Sequence, residues 1–350
     1  MGVRIWRRPR MTRSRYQADA VVRIRSAAEI AATLTDDGLL DGLPFMPEMA
    51  AFCGRVFTVR SSAHKTCDSA GSSGMRRMDA AVHLEGLHCD GSAHGGCQSR
   101  CPVYLKDAWL EPAEGASAAS DRAPSPPTDH AAQELLRKAT RSVSLRDRRP
   151  AQGMYSCQAT EVPSATSSLP FFAPRQYWDD VRSGNITVAE LFRGVAISLF
   201  NRYQRISSHR LPRWLLIRGG HEYPEAVGTL ARGPDLALGL EPGEAVEIRS
   251  HEEILATLDT AGTTRGLGLD RDMIAFCGRQ AIVHHRVELR IDEHTGELKR
   301  LRNPCVVLDS IACRGAYHRF CPRGIDSYWR EVWLRRSESE RAASAEPNPG

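Results

Sequence analysis

The sequence AFCGR occupies residues 51–55 and occurs again at residues 275–279. Extending the comparison at this constant offset of 224 aligns residues 22–110 with residues 246–334 without a gap, and 30 of the 89 aligned positions are identical. An ungapped match of this density indicates a duplicated module rather than chance similarity. The two copies can therefore be compared position by position, which separates retained residues from variable ones.

Three cysteines and one histidine recur at equal spacing in both copies, in the pattern C-x35-C-x4-H-x2-C. They are Cys53, Cys89, His94 and Cys97 in the first copy, and Cys277, Cys313, His318 and Cys321 in the second. Three thiolates and one imidazole fill the tetrahedral shell that Zn²⁺ prefers. The repeat therefore predicts two zinc ions per chain.

The completeness of this ligand set bears on its role. Four protein ligands are typical of a structural zinc, whereas a catalytic zinc keeps one position for water or substrate. The alternative interpretation is that these are small buried cysteines retained for packing. Cys67 and Cys101 occur only in the first copy, where their thiols could exchange at the metal.

The same alignment indicates the fold of each copy. Each begins with a short alternating strand and continues with a capping box, Ser26-x-x-Glu29 or Ser250-x-x-Glu253, which starts a helix. Alternating runs follow in the second copy at residues 281–291, 297–301, 306–311 and 328–334. Five short strands with one helix predict an α+β protein in which each copy is a small, strongly bent antiparallel β-barrel.

Two stretches of the second copy resemble known families. Residues 240–248, LEPGEAVEI, place a Pro-Gly-acidic turn before alternating valines and resemble the first strand of SH3-like barrels of the KOW type. Residues 266–279, in which Gly266-Leu267 precedes Met273 and the CGR turn, are similar to an uncharacterised bacterial family of duplicated zinc-binding small barrels. The KOW likeness implies a surface that binds nucleic acid or protein. The first copy has Asp19-Ala20-Val21 in place of the Pro-Gly turn.

Composition shifts divide the rest of the chain. Residues 111–130 are rich in Ala, Ser, Pro and Asp, which indicates a flexible segment, and residues 131–142 then predict a short helix. We expect a basic arm (1–18), zinc module 1 (19–112), a flexible linker with a short helix (113–150), a helical middle region (151–235), zinc module 2 (236–336) and a disordered tail (337–350).

Composition also bounds the class of protein. The 350 residues are 41% hydrophobic and 25% charged, and no apolar run approaches the roughly 18 residues of a membrane span. The basic N-terminus has no apolar run of the kind found in secretory signals, so we expect a cytoplasmic protein whose ten cysteines serve metal or thiol chemistry. Of the 47 basic residues 43 are arginines, which a GC-rich genome explains as readily as a phosphate-binding surface.

A capping box at Thr187-x-x-Glu190 precedes apolar residues at helical spacing up to Tyr203. This stripe predicts a helix that packs on the modules or on residues 214–216. The alternative is a helix on a membrane surface, because Arg202, Arg205, Arg210 and Arg213 follow it and could contact anionic headgroups.

Cys157 is the one cysteine outside both copies. It could act as a nucleophile if a histidine such as His209 or His221 held it as the thiolate, and an incidental cysteine is the alternative. We therefore expect a zinc-stabilised protein that presents a binding surface to a protein or nucleic-acid partner. The alternatives are an enzyme that uses Cys157 between the modules, and a peripheral membrane protein that uses the helix at residues 187–203.

Overall fold

The computed structural model of the protein describes residues 13–68, 74–113, 130–144, 153–210 and 212–337. The chain forms two compact units: unit 1 is Met1–Leu87, Val103–Arg148 and Ser156–Asn185, and unit 2 is His88–Pro102, Arg149–Tyr155 and Ile186–Gly350. Most of the predicted basic arm, much of the predicted linker and all of the predicted tail except Ser337 lie outside the described residues.

Unit 1 is built around antiparallel sheets. Its strands are β1 (Val21–Ile24), β2 (Leu39–Leu40), β3 (Leu43–Pro44), β4 (Val56–Ser62), β5 (Lys65–Cys67), β6 (Met75–Arg77), β7 (Ala81–Leu84), β8 (Leu105–Lys106), β9 (Leu110–Pro112) and β10 (Ser167–Ser168). The main sheet has the order β8-β7-β4-β1-β9, and smaller sheets pair β10-β6-β5 and β2-β3.

The helices of unit 1 are α1 (Ala27–Thr33), α2 (His130–Val143), α3 (Gln158–Ala165) and α4 (Arg175–Arg182). The capping box predicted before α1 is confirmed, since Ser26 accepts from the Glu29 amide and Glu29 accepts from the Ser26 amide. The helix predicted at residues 131–142 is also confirmed as α2.

Unit 2 repeats the main sheet. Its strands are β11 (Ala245–Ile248), β12 (Thr263–Thr264), β13 (Leu267–Gly268), β14 (Gln280–Ile291), β15 (Leu298–Ala312), β16 (Asp326–Trp329) and β17 (Leu334–Arg336). The order β16-β15-β14-β11-β17 corresponds strand for strand to that of unit 1. Even the register irregularity recurs, between Val59 and Ser61 in β4 and between Val283 and His285 in β14.

The helices of unit 2 are α5 (Val188–Ser207) and α6 (His251–Leu255), and both begin at the predicted capping boxes. Among the described residues, no helix combines the length and apolarity needed to cross a membrane.

The two main sheets remain open, so the predicted closed barrel is not formed. Among the described strands, β8 is not paired with β9, and β16 is not paired with β17. A 3₁₀ turn separates these consecutive strands, Asp107–Trp109 in unit 1 and Glu331–Trp333 in unit 2. It leads β9 across to β1 and β17 across to β11 instead of back to the preceding strand. A mixed α and β protein with small antiparallel sheets is confirmed.

A buried tryptophan anchors the helix of each copy to its sheet. Trp109 and Trp333 are fully buried at equivalent positions. Each indole nitrogen donates to a threonine near the end of the first helix, Trp109 to Thr33 Oγ1 at 3.0 Å and Trp333 to Thr257 Oγ1 at 2.9 Å. The bond keeps the polar edge of a large apolar side chain satisfied inside the core.

Inside unit 1, a buried ion pair connects helix α4 to strand β5. Lys65 Nζ lies 2.5 Å from Asp180 Oδ2, and both side chains are fully buried. His64 Nε2 lies 3.0 Å from the other carboxylate oxygen. A charge in this setting is tolerated because its partner compensates it, so removal of one partner is costly.

We expect Asp180→Asn to lower the free energy of unfolding by about 3 kcal/mol, because the buried Lys65 ammonium loses its counter-charge. Urea unfolding followed by circular dichroism measures the change. Glu134→Gln, which breaks the exposed pair with Arg137, is the control and should leave the midpoint unchanged. Equal midpoints for both variants would contradict the assigned role of the pair.

Candidate metal centres

A 3₁₀ helix places an acidic side chain at the second-copy centre. Asp270 precedes the 3₁₀ helix Arg271–Phe276, and its carboxylate accepts from the Asp272 amide at 2.8 Å. This cap fixes the first turn, and within that turn Asp272 is only 2% exposed. A buried carboxylate therefore lies at the start of the segment that ends in the Cys277-Gly278-Arg279 turn.

The loop that follows strand β15 supplies the other groups. Its turns are closed by the amides of His318 and Phe320, which donate to the Gly315 carbonyl at 3.0 and 2.7 Å, and by Cys321 N, which donates to His318 O. Gly315 has a φ of +70°, and a Cβ there would lie 2.2 Å from the Cys321 carbonyl oxygen. Only glycine allows this approach, which brings both ends of the loop together.

Asp272, Cys313 and His318 form a candidate metal centre within unit 2. One ligand atom from each residue lies within 4.8 Å of the other two. Cys313 Sγ donates to Asp272 Oδ2 at 3.1 Å. Thiolate, imidazole and carboxylate are all ligands of Zn²⁺, and three such groups on two chain segments can bind a metal ion.

A second carboxylate orients the histidine. Asp270 Oδ2 lies 2.6 Å from His318 Nε2, and this bond raises the pKa of His318. Burial tends to raise the pKa of Asp270, but the bond and charge of His318 outweigh it and the pKa of the carboxyl is lowered. A metal-binding histidine usually has its second ring nitrogen hydrogen-bonded to a carboxylate. Here that nitrogen is Nε2, so Nδ1 is the atom that would bind a metal.

The electrostatics of the centre favour a cation. Burial raises the pKa of the Cys313 thiol well above its ordinary value, and the neighbouring Asp272 carboxylate raises it further. Burial likewise raises the pKa of Asp272. Two buried groups that would be anionic as ligands repel each other and lose hydration, and a divalent cation offsets both costs. Metal binding would therefore release the proton that Cys313 donates to Asp272.

The first copy carries the same three kinds of ligand group. Glu48, Cys89 and His94 occupy the positions equivalent to Asp272, Cys313 and His318, and they offer a carboxylate, a thiol and an imidazole in the same sequence positions. The equivalent of Asp270 is Met46, so the histidine of this copy has no counterpart of that carboxylate.

The loop of the first copy, His88–Pro102, belongs to unit 2. Within it, Cys89 Sγ lies 4.0 Å from His94 Nδ1. Gly91 repeats the close approach of Gly315, since a Cβ there would lie 2.0 Å from the Cys97 carbonyl oxygen. Gln98 N donates to Leu289 O at 2.9 Å, which attaches the loop to strand β14.

The predicted ligands are thus only partly brought together. Cys313 and His318 meet, whereas Cys277 and Cys321 belong to no such group of three among the described residues. Cys321 is buried and adds to the raised pKa of His318, so it lies near that ring. Cys277 ends the 3₁₀ helix, and burial raises the pKa of its thiol to about 11.

Cys53 and Cys97 are the remaining predicted ligands of the first copy. Burial raises the pKa of the Cys53 thiol to about 11, as it does for the equivalent Cys277. Cys97 Sγ accepts from the Ile291 amide at 3.4 Å inside unit 2.

The carboxylates Glu48 and Asp272 were missed in the sequence, although a signal for them exists. Both lie five residues before the retained cysteine of the CGR turn, at the common offset of 224. Glutamate and aspartate differ in identity but share the ligand atom, so a search for identical residues passes over them.

The three other predicted thiols occupy separate places. Cys157 precedes helix α3, half-buried, and its amide donates to Thr160 Oγ1 at 2.9 Å. Cys67 ends strand β5 of unit 1, and the carbonyl of Cys101 accepts from the Cys89 amide at 2.9 Å in unit 2. The role of Cys157 as a nucleophile stays a prediction.

Comparisons of the chain with known protein families, with curated proteins and with solved structures found no match. The residues of the centres therefore have to be interpreted from their own geometry and chemistry.

We expect Gly315→Ala to destabilise unit 2 and to reduce its metal content, because the added methyl would collide with a backbone oxygen of the ligand loop. Gly278→Ala is the matched control. It has the same kind of backbone, with a φ of +76°, but open space around a Cβ, so it should cost only about 1 kcal/mol. Thermal melts and metal analysis of both variants test this, and equal losses would contradict it.

Proposed function

We propose that the chain is a metal-stabilised two-module binding protein that holds one Zn²⁺ ion in each copy. The observation that carries the proposal is the approach of Asp272, Cys313 and His318 to within 4.8 Å, together with a carboxylate, a thiol and an imidazole at the equivalent positions of the first copy. The mixture of one thiolate, one imidazole and one carboxylate suits zinc better than the oxygen-preferring Mg²⁺ or Ca²⁺.

In this proposal the fourth position of the second-copy shell belongs to Cys321. Its thiol lies in the ligand loop three residues after His318, and Cys321 contributes to the raised pKa of that histidine. A shell closed by four protein groups stabilises a fold, whereas water in the fourth position would permit catalysis. The expected role of the metal is therefore structural, and the modules present a surface to a protein or nucleic-acid partner.

We expect two zinc ions per chain by plasma mass spectrometry of protein purified without added metal. Cys313→Ser and Asp272→Ala should each reduce the content to about one and lower the melting temperature, because binding energy at such a site is folding energy. A chelator should lower the melting temperature of the wild type in the same way.

Cys157→Ser is the matched control, since it removes a thiol outside both copies and should keep both metals. Cys321→Ser and Cys277→Ser identify the fourth ligand, and only the former should lose metal. Folded wild-type protein without bound zinc would refute the proposal.

A second candidate function is contact with a membrane surface through helix α5, and a specific observation favours it. The apolar stripe of α5, which was expected to pack on the modules or on residues 214–216, is instead exposed: Phe192 and Leu199 are 69% and 63% exposed, and Trp214 is 81% exposed. The other large exposed apolar side chains of α5 are Val188, Val195, Tyr203 and Ile206.

Helix α5 buries its polar side instead. Asn201 is buried and exchanges hydrogen bonds with the backbone of Tyr223, while Gln204 Nε2 donates to the carbonyls of Ile217 and His221. Gly194 faces Phe320, whose ring leaves no room for a Cβ. An exposed apolar stripe of this length marks an interaction surface.

The charge around the stripe supports an anionic membrane surface as its partner. Arg202 and Arg210 are exposed on and just after α5, and Arg205 pairs with Glu222. Apolar side chains flanked by arginines suit the interface of an anionic bilayer, where the rings enter the acyl boundary and the guanidinium groups contact phosphates.

We expect the protein to sediment with phosphatidylglycerol vesicles and much less with phosphatidylcholine vesicles. Phe192→Glu and Leu199→Glu should each weaken binding by about tenfold, because each removes an apolar side chain from the interface. Leu236→Glu, at an exposed apolar position outside α5, is the control and should bind normally. Equal binding by all three variants would exclude α5 as the contact.

A further inference from the structure

An open cleft of about 530 Å³ in unit 2 is lined by arginine side chains. Its polar lining is Arg232, Arg265, Arg302, Asp259 and Asn303. The volume lies within the range of small-molecule sites, about 300–1,000 Å³. None of these residues is a candidate metal ligand, so the cleft can be considered independently of the metal centres.

Two of the three arginines are available to a ligand. Arg232 and Arg302 are exposed, and neither makes a hydrogen bond or ion pair with its side chain to another described residue. Arg265 pairs with Asp235 at 2.5 Å. The Asp259 carboxylate accepts hydrogen bonds from Ala261 and Thr263 within its own turn.

A fourth guanidinium lies beneath the cleft. Arg330 is buried, and its donors go to the backbone carbonyls of Thr264, Arg265, Asn303 and Pro304. Its remaining contact is Cys305 Sγ at 3.4 Å. Burial raises the pKa of this thiol, although Arg330 opposes the change, so the thiol is neutral at physiological pH. Arg330 thus connects two walls of the cleft by hydrogen bonds to their carbonyl groups. Among the described residues, no carboxylate pairs with it.

In the first copy, the buried cation at the same position is paired with a carboxylate. Lys106 is the equivalent of Arg330, and its Nζ lies 3.2 Å from Asp41 Oδ2 and 2.9 Å from the Asp79 carbonyl. The equivalent of Asp41 in the second copy is Arg265, so the counter-ion has been replaced by another cation. The backbone is unchanged, since φ is +51° at Asp41 and +53° at Arg265.

The second copy therefore keeps the buried cation and reverses the charge next to it. Four guanidinium groups line the described cleft or lie beneath it, whereas the described carboxylates there are only two, those of Asp235 and Asp259. Like charges gathered around a concave surface repel each other and attract anions. Guanidinium groups match the oxygens of a phosphate with paired hydrogen bonds.

We propose that this cleft binds a phosphate group, carried by a small soluble molecule or by a lipid headgroup. Arg232 and Arg302 contact the phosphate oxygens directly. Arg265 and Arg330 hold the walls in place and supply the positive field.

The test is calorimetric titration of the full chain with inorganic phosphate at low and at raised ionic strength. Binding should weaken as salt increases. Arg232→Gln and Arg302→Gln should each weaken it by about tenfold, because each removes charge-assisted hydrogen bonds. Arg210→Gln removes an exposed arginine that does not line the cleft, and it should bind as the wild type does.

Arg265→Asp is the sharpest variant, because it installs the residue of the first copy at a matching backbone conformation. The new carboxylate should pair with Arg330, abolish phosphate binding and leave the melting temperature unchanged or raised. Unaltered phosphate binding by this variant, or an equal loss in Arg210→Gln, would overturn the proposal.

Two further arms identify the source of the phosphate. If short-chain phosphatidic acid competes with phosphate, the natural ligand is a lipid headgroup. If it does not compete although phosphate binds tightly, the natural ligand is a soluble molecule. Binding of an oligonucleotide by the wild type in the absence of phosphate binding would overturn the assignment. His318→Asn, assayed well below its lowered melting temperature, should lose metal and still bind phosphate, which separates this test from that of the metal centres.

Discussion

The structure of the second copy depends on a buried carboxyl and a buried thiol that cannot both ionise without a cation. Asp272 and Cys313 lie 3.1 Å apart, and burial raises the pKa of each. The 3₁₀ helix delivers one group, and the loop after strand β15 delivers the other through a turn that only Gly315 permits. With a proton between them the two groups are a hydrogen-bonded pair that joins the loop to the helix, and a divalent cation between them would join the same two segments.

Local features could be predicted from the sequence, and long-range ones could not. The capping boxes at Ser26 and Ser250 act over three residues, so their patterns determine where a helix begins. Cys313 and His318 lie in one short loop, which made their meeting predictable. Asp272 reaches them from 41 residues away, and its role follows from side-chain chemistry rather than from identity between copies. Barrel closure failed as a prediction because pairing of edge strands has no local signature, and here a 3₁₀ turn leads the last strand to the opposite edge.

Helix α5 shows a second limit of sequence patterns. Apolar residues at helical spacing correctly predicted the helix, and the ordinary inference was that this face is buried. The opposite face is buried because Asn201 and Gln204 satisfy carbonyl groups of the chain at residues 217–223. Hydrogen bonds from two buried amide side chains to the main chain can therefore fix the orientation of a helix against its apolar moment. A periodic pattern therefore gives the type of an element but not its partner.

Comparison of the two copies distinguishes backbone features that the fold requires from side chains that determine the charge of the surface. The left-handed position next to the buried cation is kept in both copies, as Asp41 and as Arg265, so the turn itself is a requirement of the fold. The side chain can change because four carbonyl groups hold the cation of the second copy, whereas Lys106 of the first copy has one carbonyl, Asp79 O, and the Asp41 carboxylate. Once main-chain oxygens satisfy a buried cation, its carboxylate is no longer needed for folding. A duplicated module can then reverse the charge of one cleft while its main sheet and its turns stay the same.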